Sequence, residues 1–386
     1  MPTNRNASSK TQPYLVVDVE TNVFQKGNPF SKCGKLVTVG LRNPEYSFLG
    51  MDKQLLQEYI DKTSLLVGFN IKFDLHWLRN HEIDFSNCAV WDCQLATFLL
   101  EGQSHPYPSL NYVADVLGIG SKLDVVATEY WARGIDTDQI PKEILHDYLQ
   151  QDLLLTERVY HHQLSLFEKD PQLFKLFKLH CQDLLVLQEM EYNGLLFDHK
   201  TADVLALKEE QRSLEIEKEL QEGYENIPIN FQSRDHLSCY LYGGTITDEV
   251  RMPIGFYKTG AKVGQERFKV VEYKYDLPQL IKPPKGSELK KEGFYATDEG
   301  TLRSITCNKQ SRKRLDLILE RAKSSKLIGT YYRGIPELIK EMDWPDGTLH
   351  GNFNQCVAAT GRLSSSRPNL QNFAGEVDKL LRTRYE

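Results

Sequence analysis

Apolar residues gather in short runs over the first part of the chain and at helical spacing beyond it. Tyr14-Leu-Val-Val-Asp-Val-Glu20 reads as a buried strand, apolar and β-branched up to an acidic end. Leu36 to Leu41 and Leu65 to Phe69 read as two more strands. Helical spacing follows over Lys72 to His81, Trp91 to Leu100, Leu110 to Leu117 and Lys142 to Gln163. Strands mixed with helices predict an α/β domain over residues 14–168, preceded by a polar, disordered tail at residues 1–13.

From Leu173 to Glu222 the pattern is helical and charged, broken at Asn193-Gly194 and resuming after Asp198, a residue suited to an N-cap. Residues 243–300 change character: Gly, Lys, Tyr and Pro recur and the periodicity fades, which predicts strands or long loops inserted between helices. Helical spacing returns over Arg312 to Tyr332. From His350 the chain reads as a strand followed by an extended segment.

Composition adds limits. No run approaches the length of apolar residues that spans a bilayer. The polar N-terminus lacks the apolar core of a signal peptide, so an intracellular, cytoplasmic setting is expected. The 7 cysteines form no CxxC pair, which argues against a zinc site or a disulfide framework. The net charge of −6 hides an uneven distribution. Residues 1–250 hold 22 Lys and Arg against 37 Asp and Glu, whereas residues 251–340 hold 20 against 10. An acidic front and a basic middle suggest different tasks, although two solvated surfaces would give the same balance.

Three pieces of sequence carry candidate chemistry. Asp18 and Glu20 are two apart on a strand, so both carboxylates leave the same face. Carboxylates placed together repel unless a cation bridges them, and phosphodiester hydrolysis by paired divalent ions needs such hard oxygen ligands. Asn70 and Asp74 stand four apart after the third strand; Tyr148 and Asp152 stand four apart on one helix face. Taken singly, Tyr148–Asp152 is better read as an ordinary surface helix pair, and Asp74 can be a helix N-terminal cap or first-turn acid.

Together, in this order, the three elements resemble the exonuclease family with four acidic residues and a tyrosine that serves DNA polymerases in proofreading. Asp18 and Glu20 match its first motif, Asp74 its second, and Tyr148 with Asp152 its third. The resemblance implies a ribonuclease H-like domain with a mixed sheet flanked by helices. It implies that Asp18, Glu20, Asp74 and Asp152 hold two Mg²⁺ or Mn²⁺ ions, roughly 3.5–4 Å apart as in other two-metal sites. Tyr148 would orient the attacking water, and Asn70 would either support the metal ligands from behind or contact the DNA strand. Phe73, Trp77 and Trp91 are stacking candidates whose bottom-up reading is core packing.

The segment Ala359-Thr-Gly-Arg-Leu-Ser-Ser-Ser-Arg-Pro-Asn-Leu-Gln-Asn372 combines close-approach glycine, forked cations, hydroxyls and amides. That composition suits DNA, or a plain polar turn. As a string it resembles the motif at the start of the palm of family A DNA polymerases, with Phe373-Ala374 replacing the usual Ile-Pro. Glu189 to Asp198, Ile229 to Leu237, Lys326 to Tyr331 and Gly347 to Gly351 are similar to that family's thumb and the strand beyond it. The resemblance implies a mainly helical thumb at 169–345, with its basic insertion at about 243–300, and a palm beginning at 346–386. Thr360, Gly361, Arg362, Ser364, Ser365, Arg367, Asn369, Gln371 and Asn372 would then contact the primer–template.

The family's polymerase motifs lie beyond the last residue here, so polymerisation by this chain alone is not expected. A second polypeptide carrying palm and fingers is the expected partner, or the chain is a fragment of a longer one; other replisome proteins are further candidates. The thumb segment suggests a bacteriophage source, hence a host cytoplasm. Two other readings compete with a DNA exonuclease: a DNA-binding scaffold with a silent nuclease, and an RNA-trimming nuclease of the same fold resembling ribonuclease D.

Overall fold

A computed structural model describes residues 14–373 and 375–384, so the expected tail at 1–13 and Ala374 lie outside the described residues. The described residues form two compact units: those up to 198 together with those from 335 onward, and residues 199–334.

The first unit is built on a five-stranded mixed sheet in the order β3-β2-β1-β4-β5. Its strands are β1 (Tyr14–Thr21), β2 (Leu36–Arg42), β3 (Ser47–Gly50), β4 (Leu65–Gly68) and β5 (Ala89–Asp92). β1 runs antiparallel to β2 and parallel to β4. Around them stand α1 (Lys53–Asp61), α2 (Ile71–Asn80), α3 (Cys93–Leu100), α4 (Leu110–Leu117), α5 (Val125–Glu129), α6 (Lys142–Phe167) and α7 (Pro171–Asn193). Leu15, Val16, Val17 and Val19 of β1, Leu66 and Val67 of β4, and Leu149 and Leu153 of α6 lie in one core. The architecture is mixed α/β, as the alternating pattern predicts.

Two expectations differ from what forms. The helix expected from Trp91 begins at Cys93, because Trp91 pairs with Val67 in the sheet and the Asp92 carboxylate caps the helix by accepting from Gln94 N and Leu95 N. The expected boundary at 168 falls within the first unit, because Phe177, Cys181 and Leu184 of α7 join the sheet's core. The segment after 334 joins this unit too. Its second sheet pairs β6 (Leu195–Phe197) with β9 (Thr348–Leu349) and β12 (Leu381–Thr383).

The second unit contains α8 (His199–Gln221), α9 (Arg234–Tyr242), a ribbon of β7 (Gly244–Phe256) and β8 (Glu266–Leu277), then α10 (Glu299–Ser304) and α11 (Lys309–Lys326). The helix expected to reach Tyr332 does so through a π-helical turn at Leu327–Tyr332. Ile216 and Leu220 of α8, Tyr240 of α9, and Leu315 and Ile318 of α11 form its core. Residues 243–300 thus form strands and loops, as expected, and the ribbon's outer part is exposed on both faces.

Candidate functional site

The site starts from the antiparallel ladder of β1 and β2, in which Asp18 pairs with Gly40 and Glu20 with Thr38. Directly opposed residues share a face, so Asp18, Glu20, Gly40 and Thr38 look out on the same side of the sheet. α6 crosses that side at Gly40. A Cβ there would stand 2.7 Å from Leu153 Cδ1 and 2.9 Å from Leu149 Cγ. The missing side chain lets the helix come close enough to deliver the neighbouring residue, Asp152, to the carboxylates of β1.

One carboxylate oxygen from each of Asp18, Glu20 and Asp152 lies within 4.8 Å of the other two. Asp74, in the first turn of α2, is held beside them by a 3.0 Å hydrogen bond that Val19 N donates to its Oδ1. Asp74 and Asp152 are each only 3% exposed, which makes their charges expensive in the absence of a cation. Burial, then the Asp152 charge, pushes the Asp18 carboxyl up to about 7. Burial and Asp18 hold Glu20 and Asp74 well above the ordinary carboxylate range, and burial raises Asp152. Asp152 Oδ1 is buried without a hydrogen-bond partner.

Tyr148 sits one turn before Asp152 and is buried among Val126, Ile140 and Leu145, with its ring edge-on to Trp131 at 6.1 Å. Burial raises its hydroxyl's pKa, so it stays protonated near neutrality. Lys122 was not anticipated from the sequence. It lies in the irregular segment between α4 and α5, and its Nζ pairs with Asp152 Oδ2. The same ammonium stands 5.2 Å from the centroid of the Tyr148 ring. A lysine in a loop carries no periodic signal that would single it out.

The remaining expected residues are placed as follows. Asn70 heads α2 at φ 61°, its N–H donating to Asp92 Oδ1 at 3.1 Å, and its side chain is exposed. Asn70, Phe73 and Arg367 line one cavity of about 350 Å³ within the first unit. Trp91 is enclosed by Tyr160, Phe167 and Phe177, and Trp77 Nε1 donates to Gly27 O. Both are core residues.

In the C-terminal segment, β11 (Ser364–Ser366) pairs with β10 (Asn352–Asn354) in the first unit. Thr360, Gly361, Arg362, Arg367, Asn369, Gln371 and Asn372 are exposed there, and Ser364 is half-buried. Ser365 departs from the expectation. It is buried, its hydroxyl donates to Pro368 O and accepts from Leu370 N, and its role is to hold the turn.

With this geometry in view, residues 269–385 match the model of the family described as DNA polymerase family A. The DNA polymerase of Bacillus phage SP01 is 22% identical over 410 residues, covering 96% of this chain and 42% of that protein. DNA polymerase I of Synechocystis is 29% identical over 330 residues, covering 84% of this chain and 28% of that protein. The thermostable DNA polymerase I of Thermus thermophilus is 31% identical over 222 residues, 57% of this chain and 21% of that protein. The chain therefore spans less than half the length of these relatives. Among solved structures, the POL domain of Pol1 from M. smegmatis, in complex with DNA primer–template and dNTP, has a similar fold. The TM-score is 0.65 at 16% identity, over 94% of this chain and 53% of that one.

Proposed function

We propose, for a chain that belongs to DNA polymerase family A, that its first unit is a ribonuclease H-like 3′→5′ exonuclease that removes nucleotides from DNA 3′ ends. In this reading residues 199–334 serve as the thumb, and the exposed residues from Thr360 to Asn372 bind primer–template. The observation that carries the proposal is the convergence of Asp18, Glu20 and Asp152 oxygens within 4.8 Å, with Asp152 Oδ1 buried and unpartnered. Bringing three like charges together, those of Glu20 and Asp152 buried, is costly unless cations neutralise them.

The donor set fits divalent metal ions. It consists of hard carboxylate oxygens, which suit Mg²⁺ and Mn²⁺ and suit soft metals poorly. Asp18, Glu20 and Asp152 would hold them, with Asp74 completing the set from α2. Bound there, the ions would acidify a water and stabilise charge on the departing 3′ oxygen.

The chain's own groups do the rest. The Val19 N–H fixes Asp74 and so ties the first turn of α2 to β1. Tyr148, a neutral phenol whose pKa burial raises further, can accept from or donate to a water without competing as a metal ligand. The Asn70 amide and the Arg367 guanidinium, which line the same cavity, supply a hydrogen bond and a positive charge suited to a DNA strand.

The test is digestion of 5′-labelled single-stranded DNA and of a matched RNA with Mn²⁺ or Mg²⁺, beside the Asp18→Ala/Glu20→Ala variant. A DNA ladder that shortens from the 3′ end, and is absent from the variant, is the expected result. Cleavage of RNA in preference to DNA would replace this reading with the RNA-trimming one. Metal binding without cleavage would leave a DNA-binding role.

A further inference from the structure

Four acidic residues and one lysine face one another at this site, and the lysine has a consequence for how cations enter. Lys122 reaches Asp152 from a segment pinned to α6. Gln151 Nε2 donates to Ser121 O at 3.0 Å, and Arg158 Nη1 donates to Ile119 O at 2.7 Å. Gly120 between them has φ 130°, a backbone conformation that L side chains rarely adopt, and a Cβ there would lie 3.1 Å from Leu155 Cδ2. The backbone of the loop is therefore fixed against the helix while the lysine's four-carbon stem stays adjustable. The Lys122 side chain is 22% exposed and that of Asp152 only 4%, so the ammonium sits at the mouth of the site with a route to solvent.

We propose that Lys122 is a tethered competitor for the metal position that uses Asp152. It pairs with Asp152 Oδ2 when divalent ions are absent and releases that carboxylate for the site to fill. The inference rests on the exonuclease reading above. It follows from charge and space. Asp152 offers two oxygens: Oδ2 is taken by the ammonium, and Oδ1 is buried without a donor. A divalent ion on Asp152 meets a unit positive charge within contact distance and must displace it or bind against it. Asp18 and Glu20 make no ion pair with Lys122 but still feel its charge, whereas burial and the Asp18 charge govern Asp74, so an ion held toward Asp74 meets this competitor least. Two metal positions of unequal affinity result, the weaker at Asp152. Lys122 is a positioning residue here: it acts through Asp152 and never needs to touch the reacting phosphate.

The experiment is Mn²⁺ binding to the full chain, followed by calorimetry and by the paramagnetic resonance of free Mn²⁺, for the wild type, Lys122→Met and Lys122→Arg. Asp18→Ala/Glu20→Ala serves as the site control. Wild type is expected to bind in two steps. Lys122→Met should tighten the weaker step by about tenfold and leave the stronger one in place, while Lys122→Arg should keep the wild-type separation. Thermal denaturation in EDTA and in Mn²⁺ accompanies each titration, so a folding defect in Lys122→Met is seen separately from a binding change. Equal steps in the wild type, or a weaker step that Lys122→Met leaves unchanged or weakens further, would overturn the inference while the exonuclease reading stands. A wild-type chain that binds no Mn²⁺ would overturn both.

Discussion

Gly40 lies directly across the β1–β2 ladder from Asp18, and the absence of its side chain is what lets α6 settle against that face. Filling this space with the Gly40→Val variant forces Leu149 and Leu153 away, and with them the neighbouring residues Tyr148 and Asp152. A stability loss of about 1–3 kcal/mol is expected from overpacking, together with weaker Mn²⁺ binding, because Asp152 leaves the cluster. Urea denaturation and Mn²⁺ titration on the same protein check both; unchanged metal affinity in a destabilised variant would show that α6 does not set the site.

Removing a charge at the cluster should stabilise the metal-free fold. Asp18 is raised to about 7 because its ionised form is buried and faces Asp152, so at pH 8 the folded state carries a charge it accommodates poorly. Asp18→Asn is expected to gain about 1 kcal/mol or more in EDTA at pH 8. It should also lose most of the Mn²⁺-induced rise in Tm. A variant less stable than the wild type in EDTA would contradict this account of the site.

The same shift sets a pH dependence for metal binding. The folded carboxyl of Asp18 holds its proton up to about pH 7, whereas a metal ligand must be ionised. Below pH 7 binding must therefore expel at least one proton, and the apparent Mn²⁺ affinity should fall by about tenfold or more per pH unit. Titrations between pH 5.5 and 8 give the slope; a flat profile would mean that Asp18 is already ionised throughout.

How much of this was legible in the sequence follows from the range of the signals. Asp18 with Glu20, and Tyr148 with Asp152, are visible because strand and helix periods are local, and each pair could be put on one face without a fold. That the two faces meet depends on Gly40, whose small size means nothing until β2 is paired with β1. Lys122 lies outside any periodic element, so only the fold shows that it reaches Asp152. Ser365 shows the opposite failure. Its composition suited phosphate contact, but its hydroxyl is spent on the turn that presents its neighbours. The division of the chain was also hidden, since the described residues from 335 onward return to the first unit through pairings between β6, β9 and β12 that no local pattern reports.

Glu191 forms a second buried charge centre, apart from the carboxylate cluster. Its Oε1 accepts from Lys72 Nζ and from Phe353 N, each at 2.6 Å, and its Oε2 is 2.9 Å from His76 Nε2. The hub joins α2, α7 and β10. Glu191→Ala leaves the largely enclosed Lys72 ammonium with only the neutral oxygens of Phe353 and Asn352 and no counter-charge, and is expected to cost about 3–5 kcal/mol. A double variant, Lys72→Met/Glu191→Leu, should recover much of that loss, since an apolar pair avoids the desolvation cost. Urea unfolding of both variants tests the point: a double variant as unstable as the single one would mean that the hub's hydrogen bond to Phe353 N, rather than charge pairing, is what the fold requires.

The outer ribbon of β7 and β8 is expected to be dispensable for folding. Only its base, through Ile246 and Leu277, reaches the core of the second unit, while Met252, Ile254, Phe256, Phe268 and Val270 are between 45% and 62% exposed. An isolated two-stranded ribbon contributes little stability of its own. Replacing residues 250–271 by a short Asn-Gly turn should therefore change the unfolding free energy by no more than about 0.5 kcal/mol, the usual range for surface changes. It should also reduce self-association, because exposed apolar strands invite pairing between chains. Urea denaturation and sedimentation velocity give the two readings. A large stability loss would show that the ribbon packs on the rest of its unit, and a shortened chain that associates as strongly as the full one would move the sticky surface elsewhere.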